Sequence, residues 1–330
     1  MNEIIVASVS GAELRSMLFS RYDFEVGDKN NTFEITCQRD EWMNLPANAR
    51  LYIPNTEYGG LFKTTEVDTK HNTVKAGGFT WRGMLQNRII CPPAGQDYAT
   101  DSGELNAIIA SRVSAAYPNI FVGTSDTTGV TVNYQYKRYC TLYDGLKEML
   151  RTVGYRLRLS YNQTLERVVV DAVPIVDYSA QIEYSSDMNA DYTMVLDYTG
   201  VNHLICLGNG ELRDRIVVHL YVSKTGIISR TQTQFAEDEI AGIYDYSGAS
   251  EADLIQSGTE QLKRDLNRNR FAINLESARE VAVGDIVGSR DYVTGLTMTA
   301  PITTKVIKWE RGFITTQYKL SEDVTVGGDV

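Results

Sequence analysis

Tyr22-Asp23-Phe24-Glu25-Val26 and Thr32-Phe33-Glu34-Ile35-Thr36-Cys37 are two short runs of β-forming residues, separated by a turn rich in Gly, Asp and Asn. Gly, Asn and Asp tolerate the positive φ that tight turns between strands require. Three further runs of the same kind follow, again with turn residues between them: 50–53, 60–67 and 72–79. Five such runs predict a small antiparallel β-barrel, and we place this first domain at residues 1–91.

A short helix is predicted just before these strands. Ser10 is followed three residues later by Glu13, which is the spacing of a capping box at a helix N-terminus. Leu14, Met17 and Leu18 then supply apolar side chains for such a helix.

The double proline in Cys91-Pro92-Pro93 marks a change of pattern, because it cannot continue a helix. After it, Ser102 is predicted to cap a helix that ends before Pro118 and carries apolar residues at helical spacing: Leu105, Ile108, Ile109 and Val113. The pattern predicts a mixed α/β domain over residues 92–195.

A second helix in this domain is predicted to start at Thr141, with Asp144 three residues later, and to end at Gly154. Beyond it, residues 155–161 alternate in polarity, and a turn leads into residues 168–174. This pattern predicts a β-hairpin.

The last third returns to strands. A long hairpin is predicted from residues 216–222 and 227–234, which are joined through Lys224-Thr225-Gly226. Four further strands are expected, at 271–276, 281–287, 302–309 and 314–320. We assign residues 196–235 and 270–330 to a second β-barrel. The overall prediction is a mainly β protein with α/β insertions, built from two small antiparallel barrels and a mixed segment.

One helix interrupts the second barrel, as an insertion over residues 236–269. Ser250 with Asp253 predicts its N-terminus. An apolar stripe is expected to dock on the body of the protein: Leu254, Ile255, Leu262 and Leu266.

Composition excludes several classes of protein. The 330 residues carry a net charge of -10, which argues against a nucleic-acid grip based on phosphate neutralisation. No segment approaches the ~20 apolar residues of a membrane-spanning helix, and the first ten residues do not resemble a secretory signal. The four cysteines are far apart in sequence and are predicted to be reduced, so we expect folding in a cytoplasm.

No catalytic, cofactor-binding or metal-binding residue is predicted. His71, His203 and His219 are too far apart for an HExxH motif, and none lies near a cysteine pair. Gly208-Asn209-Gly210 lacks the rest of a phosphate-loop motif and is interpreted as a tight turn. The basic stretch 263–270 is interpreted as a solvated helix face. No Gly-x-Ser-x-Gly nucleophile motif occurs.

Two stretches carry a family resemblance: one runs from Tyr22 through Asn31-Thr32-Phe33-Glu34-Ile35 to Gly78-Phe79-Thr80-Trp81-Arg82-Gly83-Met84-Leu85, the other from Val283-Gly284-Asp285-Ile286-Val287 to Lys305-Val306-Ile307-Lys308-Trp309-Glu310. They resemble siphovirus tail proteins of the Gp37-like group, which are related to the phage baseplate hub and to the N-terminal part of tail-associated lysins.

The resemblance implies a structural, non-enzymatic subunit of the tail tip or baseplate hub. It implies a homotrimer whose six barrels adapt a sixfold tail tube to a threefold tip and close or line the tube end. Its partners would be a distal tail or tube-end ring, the tape measure protein and a tip, fibre or receptor-binding protein, with DNA passing through the channel without specific binding. The expected location is the virion tail tip, after assembly in the host cytoplasm.

Two alternatives remain open at the level of sequence. A carbohydrate-binding module that recognises the host surface would use exposed tyrosines, and the chain has 20. A tail-associated cell-wall hydrolase would need a pair of carboxylates that the sequence does not single out. After Leu320, the ten residues 321–330 are too short for an appended hydrolase domain.

Overall fold

The computed structural model describes residues 4–17, 21–42, 44–179, 191–223, 226–266, 269–274, 281–310, 313–322 and 324–327. These residues are mainly β, with few helices, as predicted. In chain order the elements are β1 Ile4–Ala7, β2 Glu13–Met17, β3 Arg21–Gly27, β4 Thr32–Gln38, β5 Arg50–Tyr52, β6 Gly59–Asp68, β7 Thr73–Thr80, α1 Trp81–Gln86, β8 Thr100–Glu104, α2 Leu105–Ala116, β9 Phe121–Gly123, β10 Thr131–Gln135, α3 Leu142–Arg151, β11 Tyr155–Asn162, β12 Arg167–Pro174, β13 Asp191–Val195, β14 His203–Leu207, β15 Val217–Val222, β16 Ile228–Ser229, β17 Ala241–Asp245, α4 Glu251–Leu266, β18 Arg270–Asn274, β19 Ile286–Arg290, β20 Thr297–Glu310, β21 Phe313–Leu320 and β22 Thr325–Gly327.

The largest sheet contains eleven strands in the order β19-β20-β3-β4-β7-β6-β5-β1-β2, with β21 and β22 also paired to β20. Every second residue of β3 and β4 is buried, which is the pattern of strands with one face on a core. Phe24, Phe33 and Ile35 lie at the centre of that core. The ladder does not close on itself within the described residues, so the two predicted barrels remain a prediction.

The predicted helix after Ser10 is wrong. Residues Glu13–Met17 form β2, which pairs antiparallel with β1 so that Ile4 lies opposite Met17. Tyr52 donates a hydrogen bond to the Glu13 carboxylate at 2.6 Å, so the residue expected to cap a helix is held by a distant strand instead. Leu18, the last apolar residue of the predicted helix, lies outside the described residues.

Strand β20 is part of the large sheet. It pairs antiparallel with β3 from Thr304↔Gly27 to Glu310↔Arg21 and with β21 on its other side. The strand predicted at 302–309 is confirmed, whereas no partner had been predicted for it. A pattern of alternating residues identifies a strand without specifying which strand lies next to it. The predicted domain bounds as a whole stay a prediction.

The mixed α/β segment has the predicted elements. Helices α2 and α3 share a core with the sheet β11-β12-β9, and Thr141 caps α3 by accepting a hydrogen bond from the Asp144 backbone N–H. Gly154 has φ of 75°, as its predicted role at the helix end requires. The cap of α2 differs from the prediction: Ser102 lies in β8, and the Glu104 carboxylate accepts from the Ala107 N–H instead.

A four-stranded sheet, in the order β16-β15-β14-β17, packs on helix α4. Leu254 and Leu262 of the helix are fully buried against apolar residues of β14 and β15, which confirms the predicted docking of this helix. The predicted long hairpin is shorter than expected, because its second strand is only the two residues Ile228–Ser229. Lys224 and Thr225 of its turn lie outside the described residues.

The chain divides into two compact units. One comprises residues Met1–Ala190, Asn274–Gly288 and Pro301–Leu320, and the other comprises Asp191–Ile273, Ser289–Ala300 and Ser321–Val330. The large sheet's β3 and its partner residues of β20 lie in the first unit, and the four-stranded sheet with α4 lies in the second. In the described part of the chain, no helix is both long and apolar enough to span a bilayer.

Candidate functional site

Helix α4 covers one face of the four-stranded sheet. In the part of the chain that the structure describes, most residues on the other face are exposed or half-buried, and we call it the open face. Successive residues of a strand point to opposite sides of a sheet. Leu204, Cys206 and Leu220 point to the helix and are buried. The alternate residues of the three longer strands therefore form the open face: His203, Ile205, Leu207, Val217, His219, Tyr221, Ala241, Ile243 and Asp245.

Two imidazoles meet on this face. His203 and His219 lie diagonally across the antiparallel pair of β14 and β15, because His203 is opposite Tyr221 and His219 is opposite Ile205. The Nε2 atom of His203 lies 2.8 Å from the Nδ1 atom of His219, which is a hydrogen-bond distance. The Nδ1 atom of His203 lies 2.5 Å from Oε1 of Glu239, so this ring is held at both nitrogens.

The surroundings of His203 hold its ring in one orientation. The residue is only 8% exposed, although it lies on the open face. The Tyr221 ring stacks on it with the centroids 4.3 Å apart. Glu239 follows the 3₁₀ turn Ala236–Asp238, and Asn202 bridges that turn to β14 by donating to the Asp238 carbonyl at 2.7 Å. His219 is exposed at the surface.

The chemistry of this cluster follows from its donors and acceptors. A carboxylate can only accept a hydrogen bond, so the Glu239 contact favours a proton on Nδ1 of His203. His203 and His219 then share one further proton between Nε2 and Nδ1. The cluster can therefore pass a proton between the Glu239 carboxylate and the surface, or supply two nitrogen ligands. The sequence did not predict that these residues lie together.

The other residues considered from sequence do not join this cluster. His71 is exposed and contacts Asp68 at 2.6 Å, and this hydrogen bond lowers the pKa of the Asp68 carboxyl below its ordinary value. Gly208-Asn209-Gly210 was interpreted as a tight turn, but it opens the longer loop 208–216 between β14 and β15, in which Gly210 has φ of 100°. Lys263 and Arg264 are exposed on α4, which agrees with a solvated helix face.

A second polar cluster lies inside the α/β part of the first unit. The buried Arg82 guanidinium donates to Glu57 from Nε at 2.8 Å and from Nη2 at 2.7 Å, and from Nη1 to the Tyr143 hydroxyl at 3.0 Å. Burial by itself lowers the pKa of Arg82, but the Glu57 carboxylate outweighs it and raises that pKa above its ordinary value. Each side chain of this cluster has a hydrogen-bond partner within the cluster, so we interpret the cluster as a structural element of the core.

The fold as a whole is that of phage tail proteins, as the sequence resemblance predicted. The 43 kDa tail protein of prophage MuSo2 from Shewanella oneidensis superposes with a TM-score of 0.58 at 11% identity, covering 97% of each chain. A tail protein from Neisseria meningitidis MC58 gives 0.53 at 14% identity, covering 97% of this chain and 96% of that one. Prophage tail protein gp18 from Listeria monocytogenes EGD-e gives 0.51 at 12%, covering 97% and 95%.

Sequence comparison alone does not reach these proteins. No protein-family profile matches the chain, and no curated protein matches it in sequence. At 11–14% identity the fold is retained while most side chains have changed, so the similarity concerns the architecture and not individual site residues.

Proposed function

We propose that this chain is a structural subunit of a phage-type tail, located in the hub at the tail tip. The observation that carries the proposal is a fold shared with three tail proteins, two of them from prophages, over at least 95% of each chain. A match over the whole length, rather than over one domain, supports the same kind of role for the whole chain.

The described surface supports a role in assembly. Large apolar side chains are exposed on β21, where Phe313 is 75% and Ile314 is 56% exposed, and on the open face, where Ile243 is 74% exposed. Strand β21 also lies at an edge of the large sheet, with β20 on one side. Exposed apolar patches and unpaired strand edges are features that partner subunits cover.

In the proposed assembly three copies form a ring that adapts the sixfold tail tube to a threefold tip and closes or lines the end of the tube. Neighbouring subunits would be a tube-end ring, the tape measure protein and a tip, fibre or receptor-binding protein. Closed rings require matching interfaces, and a threefold ring on a sixfold tube needs two comparable contact regions per chain. The particle tail tip is then the working location of the protein.

Electron microscopy of the native particle tests this proposal. We expect three copies at the end of the tube, recognisable by the mainly β density of this chain. Six copies, one copy, or density along the tube would contradict it. A stable monomer in solution would not, since the tube can act as the template for the ring.

We also propose that the chain has no hydrolytic activity and that its ring passes DNA without holding it. The net charge of -10 supports the second point, since an acidic wall repels phosphates. Incubation of the protein with purified host cell wall should release no fragments. Assembled ring and duplex DNA at about 50 mM salt should bind more weakly than micromolar, because at that ionic strength electrostatic attraction is only weakly screened.

A further inference from the structure

The pair of imidazoles on the open face brings two possible ligand nitrogens close together. Nε2 of His203 and Nδ1 of His219 face each other at 2.8 Å. Metal–imidazole bonds are about 2.0–2.1 Å long, so two nitrogens on one ion lie about 2.9 Å apart at a right angle and about 3.4 Å apart at a tetrahedral angle. The ring centroids of His203 and His219 are 5.1 Å apart, so the two rings now point almost straight at each other. To share an ion with Nε2 of His203, the exposed His219 ring must turn aside so that its own lone pair meets the ion at one of these angles.

The His203 ring is held in place by contacts on the side away from His219. Histidines that bind metal commonly donate their other N–H to a carboxylate, which fixes the tautomer and strengthens the ligand. Glu239 occupies that position on Nδ1 of His203, at 2.5 Å, and leaves the Nε2 lone pair directed at the shared space. The Tyr221 ring, stacked at 4.3 Å, limits rotation of the same imidazole.

The other ring is reachable from solvent. His219 is exposed and sits on the antiparallel neighbour of the strand that carries His203. An ion could therefore enter from the open face without displacing any element of the fold. Coordination requires the proton shared by the two nitrogens to move to the outer nitrogen of His219 or to leave to solvent.

We propose that His203 and His219 form an open binding site for a divalent transition-metal ion of the Zn²⁺, Ni²⁺ or Cu²⁺ type. Imidazole nitrogen suits these ions better than Mg²⁺ or Ca²⁺, which prefer oxygen. Within the described residues no group of three or more His, Cys, Asp or Glu side chains is arranged to hold a metal. The remaining coordination positions are thus open to water or to a group from another molecule.

This proposal departs from the sequence prediction of no metal-binding residue. The two histidines are 16 residues apart, a spacing that matches no known metal motif. The register of β14 against β15 brings the two histidines together in space. That register is a property of the folded sheet and cannot be read from the spacing in sequence.

Titration of the full-length protein with ZnCl₂, followed by calorimetry, tests the proposal. All variants carry Cys91→Ser, because Cys91 is exposed and a thiolate is itself a zinc ligand that would compete with the histidines. We expect one ion per chain and at least tenfold weaker binding in His219→Ala. His71→Ala is the matched control, since His71 is the remaining histidine of the chain and lies outside the cluster. It should leave the affinity unchanged.

Two further measurements make the result specific. Glu239→Gln should weaken binding by about tenfold, as loss of an orienting carboxylate does at other histidine–metal sites. With Cu²⁺ in place of Zn²⁺, electron paramagnetic resonance should show coupling to two nitrogens, and to one in His219→Ala. No binding at 1 mM ZnCl₂, about the weak limit of specific sites, would overturn the proposal. So would binding that His219→Ala leaves intact. Because His219 is exposed, this variant is expected to fold even if His203→Ala does not, and circular dichroism checks both.

Discussion

Two polar clusters of the molecule differ in their access to solvent. One is the buried cluster of Arg82, Glu57 and Tyr143, and the other is the surface cluster of His203, His219 and Glu239. In the first, the Arg82 side chain is 4% and the Glu57 side chain 14% exposed, and the polar atoms face one another inside the core. In the second, one imidazole is buried and the other is exposed, so the hydrogen-bonded chain ends at solvent. A closed cluster stabilises one conformation, whereas a cluster with an open end can exchange a proton or bind a ligand.

The energetic contrast between the clusters follows from solvation. A charge inside the core has lost its water, and its partner is the only compensation, so removing that partner is strongly unfavourable. A group at the surface that loses a hydrogen bond regains one from water. Substitutions in the two clusters should therefore differ mainly in their effect on the free energy of unfolding.

The largest effect is expected for Glu57→Leu. This variant leaves the buried Arg82 guanidinium without its carboxylate, which should lower the free energy of unfolding by about 3–5 kcal/mol. Urea denaturation followed by circular dichroism measures the loss. The control is Arg82→Met combined with Glu57→Leu, which removes both charges and should recover most of the stability. If the single variant is as stable as the parent, the cluster is not closed to water.

The next effect is expected for Leu262→Asp, in the core beneath the open face. Leu262 is fully buried between α4 and the four-stranded sheet. An Asp there loses apolar burial and desolvates a charge, at a cost of at least about 2 kcal/mol. Gln256→Asp, at an exposed position of the same helix, is the matched control and should change the melting temperature little. An unchanged melting temperature for Leu262→Asp would show that the helix does not depend on this contact.

A smaller effect is expected for His219→Ala in the surface cluster. It removes the hydrogen bond to His203, but the freed Nε2 atom faces the solvent side of the sheet and can bind water. The free energy of unfolding should fall by at most about 1 kcal/mol. Urea denaturation alongside Glu57→Leu gives the comparison directly. If His219→Ala lowers the free energy of unfolding as much as Glu57→Leu does, the histidine pair is closed to water like the buried cluster, and the prediction is wrong.

The smallest effect concerns the thiols. Burial raises the pKa of Cys37 to about 11 and also raises the pKa of Cys206, whereas Cys91 is exposed. At pH 8 a thiol-reactive dye should label Cys91 quickly and the two buried cysteines only on unfolding. Because the folded state disfavours the thiolate, the contribution of Cys37 is complete below the ordinary pKa of about 8.5 and is lost as pH rises toward 11. Rapid labelling of Cys37 or Cys206 at pH 8 would contradict this description.

Sequence reasoning predicted local elements well where alternation or capping was unambiguous. The strands around Phe24 and Phe33 and the Thr141 cap are examples, because burial on one face and a side chain that accepts from a nearby N–H are local properties. It failed at Glu13, where a capping pattern was overridden by a strand partner and by the hydroxyl of Tyr52.

The histidine cluster could not have been predicted from the sequence. Its formation depends on the register of β14 against β15 and on the position of Glu239 after a turn, and neither is encoded in a motif. For the same reason the pairing of β20 with β3 escaped prediction, since nothing in either run of residues specifies the other. Long-range pairing was missed in both cases, and at Glu13–Met17 such a pairing also replaced the predicted helix by a strand.

The pairing of β3 with β20 also sets an order of events during synthesis. Residues 21–27 are synthesised long before their partner, residues 304–310. One edge of β3 therefore has no neighbour until residues 304–310 have been made, and contacts of such high sequence separation form slowly. A nascent chain with an open strand edge is prone to aggregate or to need a chaperone, so co-expression of a chaperone and a low expression temperature should increase the yield of soluble protein.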